Sequence, residues 1–83
     1  MDFRVYVIVE LPILDKKYEL LVPIDRRIHD LITVLKKAIP ELTTDYYERR
    51  DPVMISKTSG EIYDMNVVIK NTNIKNGTRL LLM

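Results

Sequence analysis

The stretch "KYELLVPIDRRIHDLITVLKKAIP", from Lys17 to Pro40, changes its periodicity at its centre, and this change decides the fold. In its first half, Tyr18, Leu20 and Val22 occupy every second position, which is the spacing of one face of a β-strand. In its second half, apolar residues recur at three- and four-residue steps, which indicates one face of an α-helix. These residues are Ile28, Leu31, Ile32, Leu35 and Ile39. The sequence therefore predicts a strand that passes directly into an amphipathic helix.

The ends of the helix are predicted from the residues that favour or forbid helical backbone. Asp25 stands where an N-cap residue belongs, because its carboxylate can accept a hydrogen bond from a free N–H of the first turn. Pro40 disfavours helical backbone at the residue before it. We therefore expect the helix to run from Arg26 to Ile39.

Two strands are predicted on the N-terminal side of this helix. Alternation from Phe3 to Leu11 places five apolar side chains on one face: Phe3, Val5, Val7, Val9 and Leu11. A turn between Pro12 and Lys16 leads into the strand that Pro23 ends. These two strands should form a hairpin.

The remaining strands follow a polar connection. Val53 to Lys57 is predicted as a short strand, and Ile62 with Tyr63 as a brief return strand. Asn76 and Gly77 favour a tight turn into a last strand that contains Leu80 and Leu82. The predicted class is α+β, with one helix packed across a mixed sheet of about five strands.

Length and composition exclude several kinds of chemistry. The 83 residues have the size of a single domain, which we assign to residues 1–83. Cysteine is absent and His29 is the sole histidine, so a thiolate nucleophile and a sulfur-based metal site are excluded. We expect no enzymatic activity, no cofactor and no metal, and we interpret His29 as a solvated residue at the edge of the helix stripe.

Charge and hydropathy bear on partners and location. Thirteen basic residues oppose twelve acidic ones, whereas a nucleic-acid-binding domain usually has a basic excess, so we expect no nucleic-acid partner. The longest apolar run, Val5 to Val9, is far shorter than the roughly 18 residues of a spanning helix. No charged-then-apolar export signal opens the sequence. We expect a cytoplasmic protein without direct membrane insertion.

The order of the predicted elements resembles that of the ubiquitin-like β-grasp. The segments "YELLVP", "IHDLI", "SGEIYDMN" and "NTNIKNGTRLLLM" resemble, in their order and spacing, the small ubiquitin-like proteins of type VII (ESX-like, WXG100) secretion systems, the YukD/EsaB family. The resemblance implies a bacterial, cytoplasmic accessory or regulatory subunit that acts through non-covalent contacts. It implies partners among other secretion-system components, in particular membrane-bound subunits such as the ATPase or the pseudokinase-like protein.

An alternative from the same fold is a ubiquitin-like modifier or a sulfur carrier. Such proteins use a flexible tail that ends in Gly-Gly, because an activating enzyme must adenylate the terminal carboxylate in a narrow channel. The only glycines here are Gly60 and Gly77, and both are predicted to lie in turns. Met83 is expected at or just past the end of a strand. We therefore expect neither conjugation nor sulfur transfer.

The candidate interaction site follows from the two faces of the sheet. We expect one set of alternating side chains to face the helix: Phe3, Val5, Val7, Val9, Tyr18, Leu20, Val22, Val53, Ile55, Leu80 and Leu82. The opposite face should then carry a second apolar set: Tyr6, Ile8, Leu21, Met54, Leu81 and Met83. An apolar patch on a small protein is often a binding surface. Scattered apolar residues on an ordinary surface are the alternative. The patch could bind another protein or a second copy in a homodimer.

A second candidate lies in the connection from Pro40 to Pro52. It contains Tyr46, Tyr47, Arg49 and Arg50, and tyrosine and arginine are enriched among interface anchors. A plain connector between helix and strand explains the segment equally well.

Overall fold

A computed structural model of the chain describes residues 3–39 and 52–83. In chain order its elements are β1 (Arg4–Leu11), a 3-10 turn (Pro12–Leu14), β2 (Lys16–Pro23), α1 (Ile28–Ala38), β3 (Met54–Ser56), a 3-10 turn (Ile69–Asn71) and β4 (Thr78–Leu82). The sheet order is β2-β1-β4-β3. β1 is antiparallel to β2 and parallel to β4, and β3 is antiparallel to β4. The predicted α+β class, with one helix on a mixed sheet, is confirmed.

The sheet has four strands among the described residues, whereas about five were predicted. Ile62 forms only an isolated bridge with Ile55. The Ser56 N–H donates to the Glu61 carbonyl at 2.8 Å, and the Tyr63 N–H donates to the Met54 carbonyl at 2.9 Å. The chain then turns at Asp64, whose carboxylate accepts the Asn66 N–H at 2.8 Å. The brief return strand is therefore too short to form a ladder.

The core lies between α1 and one face of the sheet. Its helix residues are the predicted stripe of Ile28, Leu31, Ile32, Leu35 and Ile39, all buried. The strands contribute Val5, Val7, Val9, Leu11, Val22, Met54, Leu80 and Leu82, and the segment before β4 contributes Tyr63, Ile69 and Ile74. Tyr18 and Leu20 are partly buried against this core, as predicted.

The helix begins two residues later than predicted, and Arg27 rather than Asp25 is its N-cap. The chain before Ile28 makes hydrogen bonds outside the helix: the Ile69 N–H donates to the Arg26 carbonyl at 2.8 Å. The Arg27 N–H donates to the Asp30 carboxylate at 3.2 Å. The N–H groups of Ile28 and His29, which have no acceptor within the helix, donate to carbonyls of the segment 65–67. Because this segment satisfies the first turn, Asp25 is not needed as a cap.

The facing of β3 was predicted wrongly. Met54 is opposite Leu82 in the antiparallel pair, and directly opposite residues share a face, so Met54 faces the helix. Its side chain is completely buried. Val53 and Ile55 therefore lie on the other face, where they are half-buried. Phe3 was also misplaced: it precedes β1 and is 62% exposed.

Candidate functional site

The face of the sheet turned away from α1 carries the candidate site, and we call it the outer face. It is defined by Tyr6, Ile8, Leu21, Ile55, Leu81 and Met83, with Val53 beside them. Tyr6 is directly opposite Leu21 across the β1–β2 pair. Ile8 lies two residues further along β1, and Leu21 is 64% exposed. These three side chains form an apolar group on the β1–β2 half of the face.

A second apolar group occupies the β3–β4 half of the face. Ile55 is directly opposite Leu81 in the antiparallel pair. The pairing extends past the named strands, because the Val53 N–H donates to the Met83 carbonyl at 3.1 Å and the Met83 N–H donates to the Val53 carbonyl at 3.0 Å. All four side chains are half-buried. They form a continuous strip along the boundary between the paired strands β3 and β4.

Charged side chains lie between the two apolar groups. The Lys57 ammonium is 2.6 Å from the Glu10 carboxylate, so an ion pair joins the end of β3 to β1 across β4. Arg79 is beside Ile8 in the parallel pair, and Glu10 is beside Leu81. Hydrogen bonding to Lys57 lowers the pKa of Glu10, partial desolvation opposes this, and the charges of Lys57, Lys17 and Arg79 lower it further. The outer face is therefore two apolar groups around a charged centre.

Tyr6 links the first apolar group to a charge. Desolvation raises the pKa of its phenol, and a hydrogen bond to Glu19 and the negative charge of Glu19 raise it further. Glu19 is opposite Ile8 on β2, diagonal to Tyr6. Tyr6 therefore places an aromatic ring next to the charge of Glu19 on the outer face.

Five of the six predicted site residues lie on the outer face: Tyr6, Ile8, Leu21, Leu81 and Met83. The sixth, Met54, is in the core, and Ile55 takes its place. Sequence periodicity could not show which β3 residues face the helix, because β3 has only three residues, too few to distinguish one face from the other. That the outer face binds a protein stays a prediction.

Other candidates contribute little to a chemical site. His29 is exposed on the helix. Within residues 3–39 and 52–83, no three His, Cys, Asp or Glu residues converge as they would around a metal ion. Gly60 and Gly77 lie in turns with φ of +77° and +88°, as predicted. The alternative interaction site of Tyr46, Tyr47, Arg49 and Arg50 lies outside the described residues. In the described part of the chain, no helix is long and apolar enough to span a membrane.

Comparison with known proteins identifies the fold. No protein-family model matches the sequence, and no curated protein matches it. Among solved structures, the N-terminal ubiquitin-like domain of the 4931431F19Rik protein is similar with a TM-score of 0.74 and 16% identity, covering 100% of this chain and 76% of that one. The ubiquitin-like domain of Plasmodium falciparum Dsk2 gives a TM-score of 0.68 and 14% identity, with coverage of 98% and 100%.

A third similar structure is described as molecular mimicry of SUMO that promotes DNA repair. Its TM-score is 0.70 at 15% identity, and the match covers 96% of this chain and 90% of that one. Identities this low establish a shared fold and nothing about activity or partners. The chain therefore has the ubiquitin-like fold.

Proposed function

We propose that this protein is a non-covalent protein-interaction subunit, a cytoplasmic accessory or regulatory component of a type VII secretion system. The observation that carries the interaction half of this proposal is the outer face. Its two apolar groups each contain side chains that lie directly opposite one another, Tyr6 with Leu21 and Ile55 with Leu81. A sheet face exposed to water alone would carry more charged and threonine side chains.

The composition of the outer face suits recognition of another protein. Apolar groups supply buried contact area, whereas the Glu10–Lys57 ion pair and Arg79 supply charges that select a complementary surface. Met83 can repack against partners of different shape because its side chain is unbranched and flexible. This combination favours a docking surface over a catalytic site, which would require a cleft with converging titratable groups.

The secretion-system half of the proposal is supported by the sequence resemblance together with the fold. The segments that resemble the YukD/EsaB family include the strand-to-helix passage at Tyr18–Pro23 and the turn into β4 at Asn76–Gly77. The partners that follow are membrane-bound components of the same machine, such as the ATPase or the pseudokinase-like protein. A homodimer through the outer face is the second arrangement that this surface allows.

The proposal is tested by titrating the purified protein, in a calorimeter, with the ATPase and with the pseudokinase-like subunit of the host's type VII system. Binding of one of them in the micromolar range or tighter is the expected result. If neither subunit gives binding heat, although each still assembles with the other subunits of the machine, the assignment to this machine would be contradicted. Sedimentation of the protein alone shows whether the outer face instead joins two copies.

A further inference from the structure

A polar depression of about 450 Å³ lies where the end of β3 meets the start of β4, and we call it the cationic pocket. The turn after β3 and the segment that leads into β4 supply its polar walls: Ser59, Asn73, Lys75, Asn76, Thr78 and Arg79. Two of these side chains are cations, and the others are hydroxyls or amides. Arg79 also flanks Ile8 on the outer face, so the cationic pocket adjoins that surface.

The floor of the cationic pocket contains buried polar side chains. Ser56 and Tyr63 line it and are only 6% and 5% exposed. The Ser59 N–H donates to the Ser56 hydroxyl oxygen at 3.3 Å, and the Tyr63 hydroxyl donates to the Asn73 side-chain oxygen at 2.8 Å. These hydrogen bonds connect the floor to the walls, so the pocket is a preformed part of the fold.

The two amide side chains present donors to the pocket, because their oxygen atoms already accept bonds from the protein. The Asn76 oxygen accepts the Tyr6 N–H at 2.9 Å, and the Asn73 oxygen accepts the Tyr63 hydroxyl. A side-chain amide has one accepting oxygen and one donating NH2 group. What each amide offers to a ligand is therefore its NH2 group.

The two hydroxyls in the walls are in the same situation. The Thr78 hydroxyl oxygen accepts the Lys75 N–H at 2.9 Å, and the Ser59 hydroxyl oxygen accepts the Glu61 N–H at 3.3 Å. A hydroxyl that accepts a bond keeps its own hydrogen for donation. The neutral side chains of the walls thus add O–H and N–H donors to the two cations.

The charge of the cationic pocket has one sign. Lys75 and Arg79 are exposed, and among residues 3–39 and 52–83 no carboxylate lines the pocket or forms an ion pair with either. The carboxylates of Glu61 and Asp64 line a separate depression. Tyr63 lines both depressions and separates the two. Cations and donors without a competing carboxylate suit an anion that has several oxygens.

We propose that the cationic pocket binds a phosphomonoester group, carried either by a phosphorylated side chain of a protein or by a small metabolite. This group has a charge of about −1.5 to −2 at neutral pH and three strongly accepting oxygens. The planar guanidinium of Arg79 suits two of the oxygens, and the Lys75 ammonium acts as a point charge. A carboxylate has one charge and two oxygens, so it would satisfy fewer of the donors.

The test is a titration of the isotopically labelled full chain, followed by amide chemical shifts at constant ionic strength. The probes are inorganic phosphate, glycerol phosphate, a glycine-flanked phosphoserine peptide, the same peptide without phosphate, and acetate. The phosphate-bearing probes should shift the amides of Ser59, Asn73 and Lys75 saturably, with a dissociation constant of about 1 mM or lower. Acetate should bind at least about tenfold more weakly, and the unphosphorylated peptide should cause no shifts. Tighter binding of the phosphopeptide than of glycerol phosphate assigns a protein source, and the reverse assigns a metabolite.

Protein variants locate the contact. Lys75→Gln and Arg79→Gln should each weaken phosphate binding about tenfold, because each removes a charge-assisted hydrogen bond. Lys37→Gln is the matched control, since it removes the same charge from an exposed residue of α1 that does not line the pocket. Asn73→Asp keeps an acceptor for the Tyr63 hydroxyl but replaces a donor with a negative charge, so it should abolish binding. All four positions are exposed, so each variant should keep the thermal midpoint to within about 5 °C.

Three outcomes would overturn the proposal. Shifts that do not saturate would show that no site exists, and acetate that binds as tightly as phosphate would show that the pocket does not select a phosphomonoester. An equal loss in Lys37→Gln would show that net charge alone attracts the anion. Ile8 does not line the pocket, so Ile8→Glu should leave phosphate binding intact. A failure of this site and a failure of docking through the outer face are therefore distinguishable.

Discussion

Asn76 and Tyr6 are 70 positions apart in the sequence, and the Asn76 side-chain oxygen accepts the Tyr6 backbone N–H at 2.9 Å. The next residue completes the contact, because the Gly77 N–H donates to the Tyr6 carbonyl at 2.8 Å. Both backbone groups that Tyr6 directs toward β4 are thus bound by the turn that precedes β4. This turn fixes the parallel register of β1 on β4, and with it the position of Leu81 beside Glu10 on the outer face.

Removing the Asn76 side chain should destabilise the fold. In Asn76→Ala, the Tyr6 N–H loses its acceptor, and we expect the free energy of unfolding to fall by about 1 kcal/mol, the usual worth of one hydrogen bond. Asn76→Asp keeps an acceptor at the same place and serves as the control. Urea unfolding measures the free energy of unfolding of both variants. An alanine variant as stable as the aspartate variant would show that the hydrogen bond does not hold this register.

The facing of β3 can be tested with two neighbouring residues. Met54 is fully buried opposite Leu82, and Ile55 is half-buried on the outer face. Met54→Ala leaves a core cavity and should lower the free energy of unfolding by about 2–4 kcal/mol. Ile55→Ala leaves no enclosed cavity and should cost about 1 kcal/mol or less. Denaturant unfolding measures the free energy of unfolding of both variants. A larger loss in Ile55→Ala than in Met54→Ala would show that Ile55, and not Met54, faces the core.

The ion pair of Glu10 with Lys57 should contribute stability that depends on pH. The folded state lowers the pKa of Glu10 below its ordinary value of 4.5, chiefly through hydrogen bonding to Lys57. The native state therefore favours the carboxylate, so the contribution is fully present above pH 4.5 and is lost as the pH falls through the depressed pKa of the folded state.

Glu10→Gln removes this contribution at every pH. We expect its thermal midpoint to lie below that of the wild type at pH 7 and to converge with it in acid. Added salt should narrow the difference at pH 7, because partly exposed charges are screened. Glu61→Gln, at an exposed position, is the matched control. A difference between Glu10→Gln and the wild type that persists unchanged into strong acid would show that the charge of Glu10 is not its cause.

The elements with clear periodicity could be predicted from the sequence. The helix stripe from Ile28 to Ile39 and the alternation of β1 placed nearly all of their core residues correctly, because each extends over several repeats. The end of the helix was correct to within one residue: it ends at Ala38 and Ile39 is its extended C-cap, because proline disfavours helical backbone at the residue before it. The start of the helix was wrong because it depends on carbonyls of the segment 65–67, far away in the sequence.

The candidate site could be predicted only in part, because alternation shows the facing of long strands but not of short ones. Tyr6, Ile8 and Leu21 lie on long strands whose alternation sets their facing. Met54 lies on a strand of three residues, whose facing is set by its pairing with β4 and not by its own pattern. The Glu10–Lys57 ion pair joins β1 to the residue that follows β3. These two strands are not neighbours in the sheet, so local sequence does not indicate the pair.

The most direct test of the docking claim is the dissociation constant of the Ile8→Glu variant for the secretion-system subunit that the wild-type protein binds. Ile8 lies on the outer face between Glu19 and Arg79, so a carboxylate there places charge in the interface while leaving the core intact. Its binding should be at least about tenfold weaker than that of the wild type. Val34 lies on α1 and is 59% exposed, so Val34→Asp serves as a folded control that binds normally. An Ile8→Glu variant that binds as tightly as the wild type would contradict docking through the outer face.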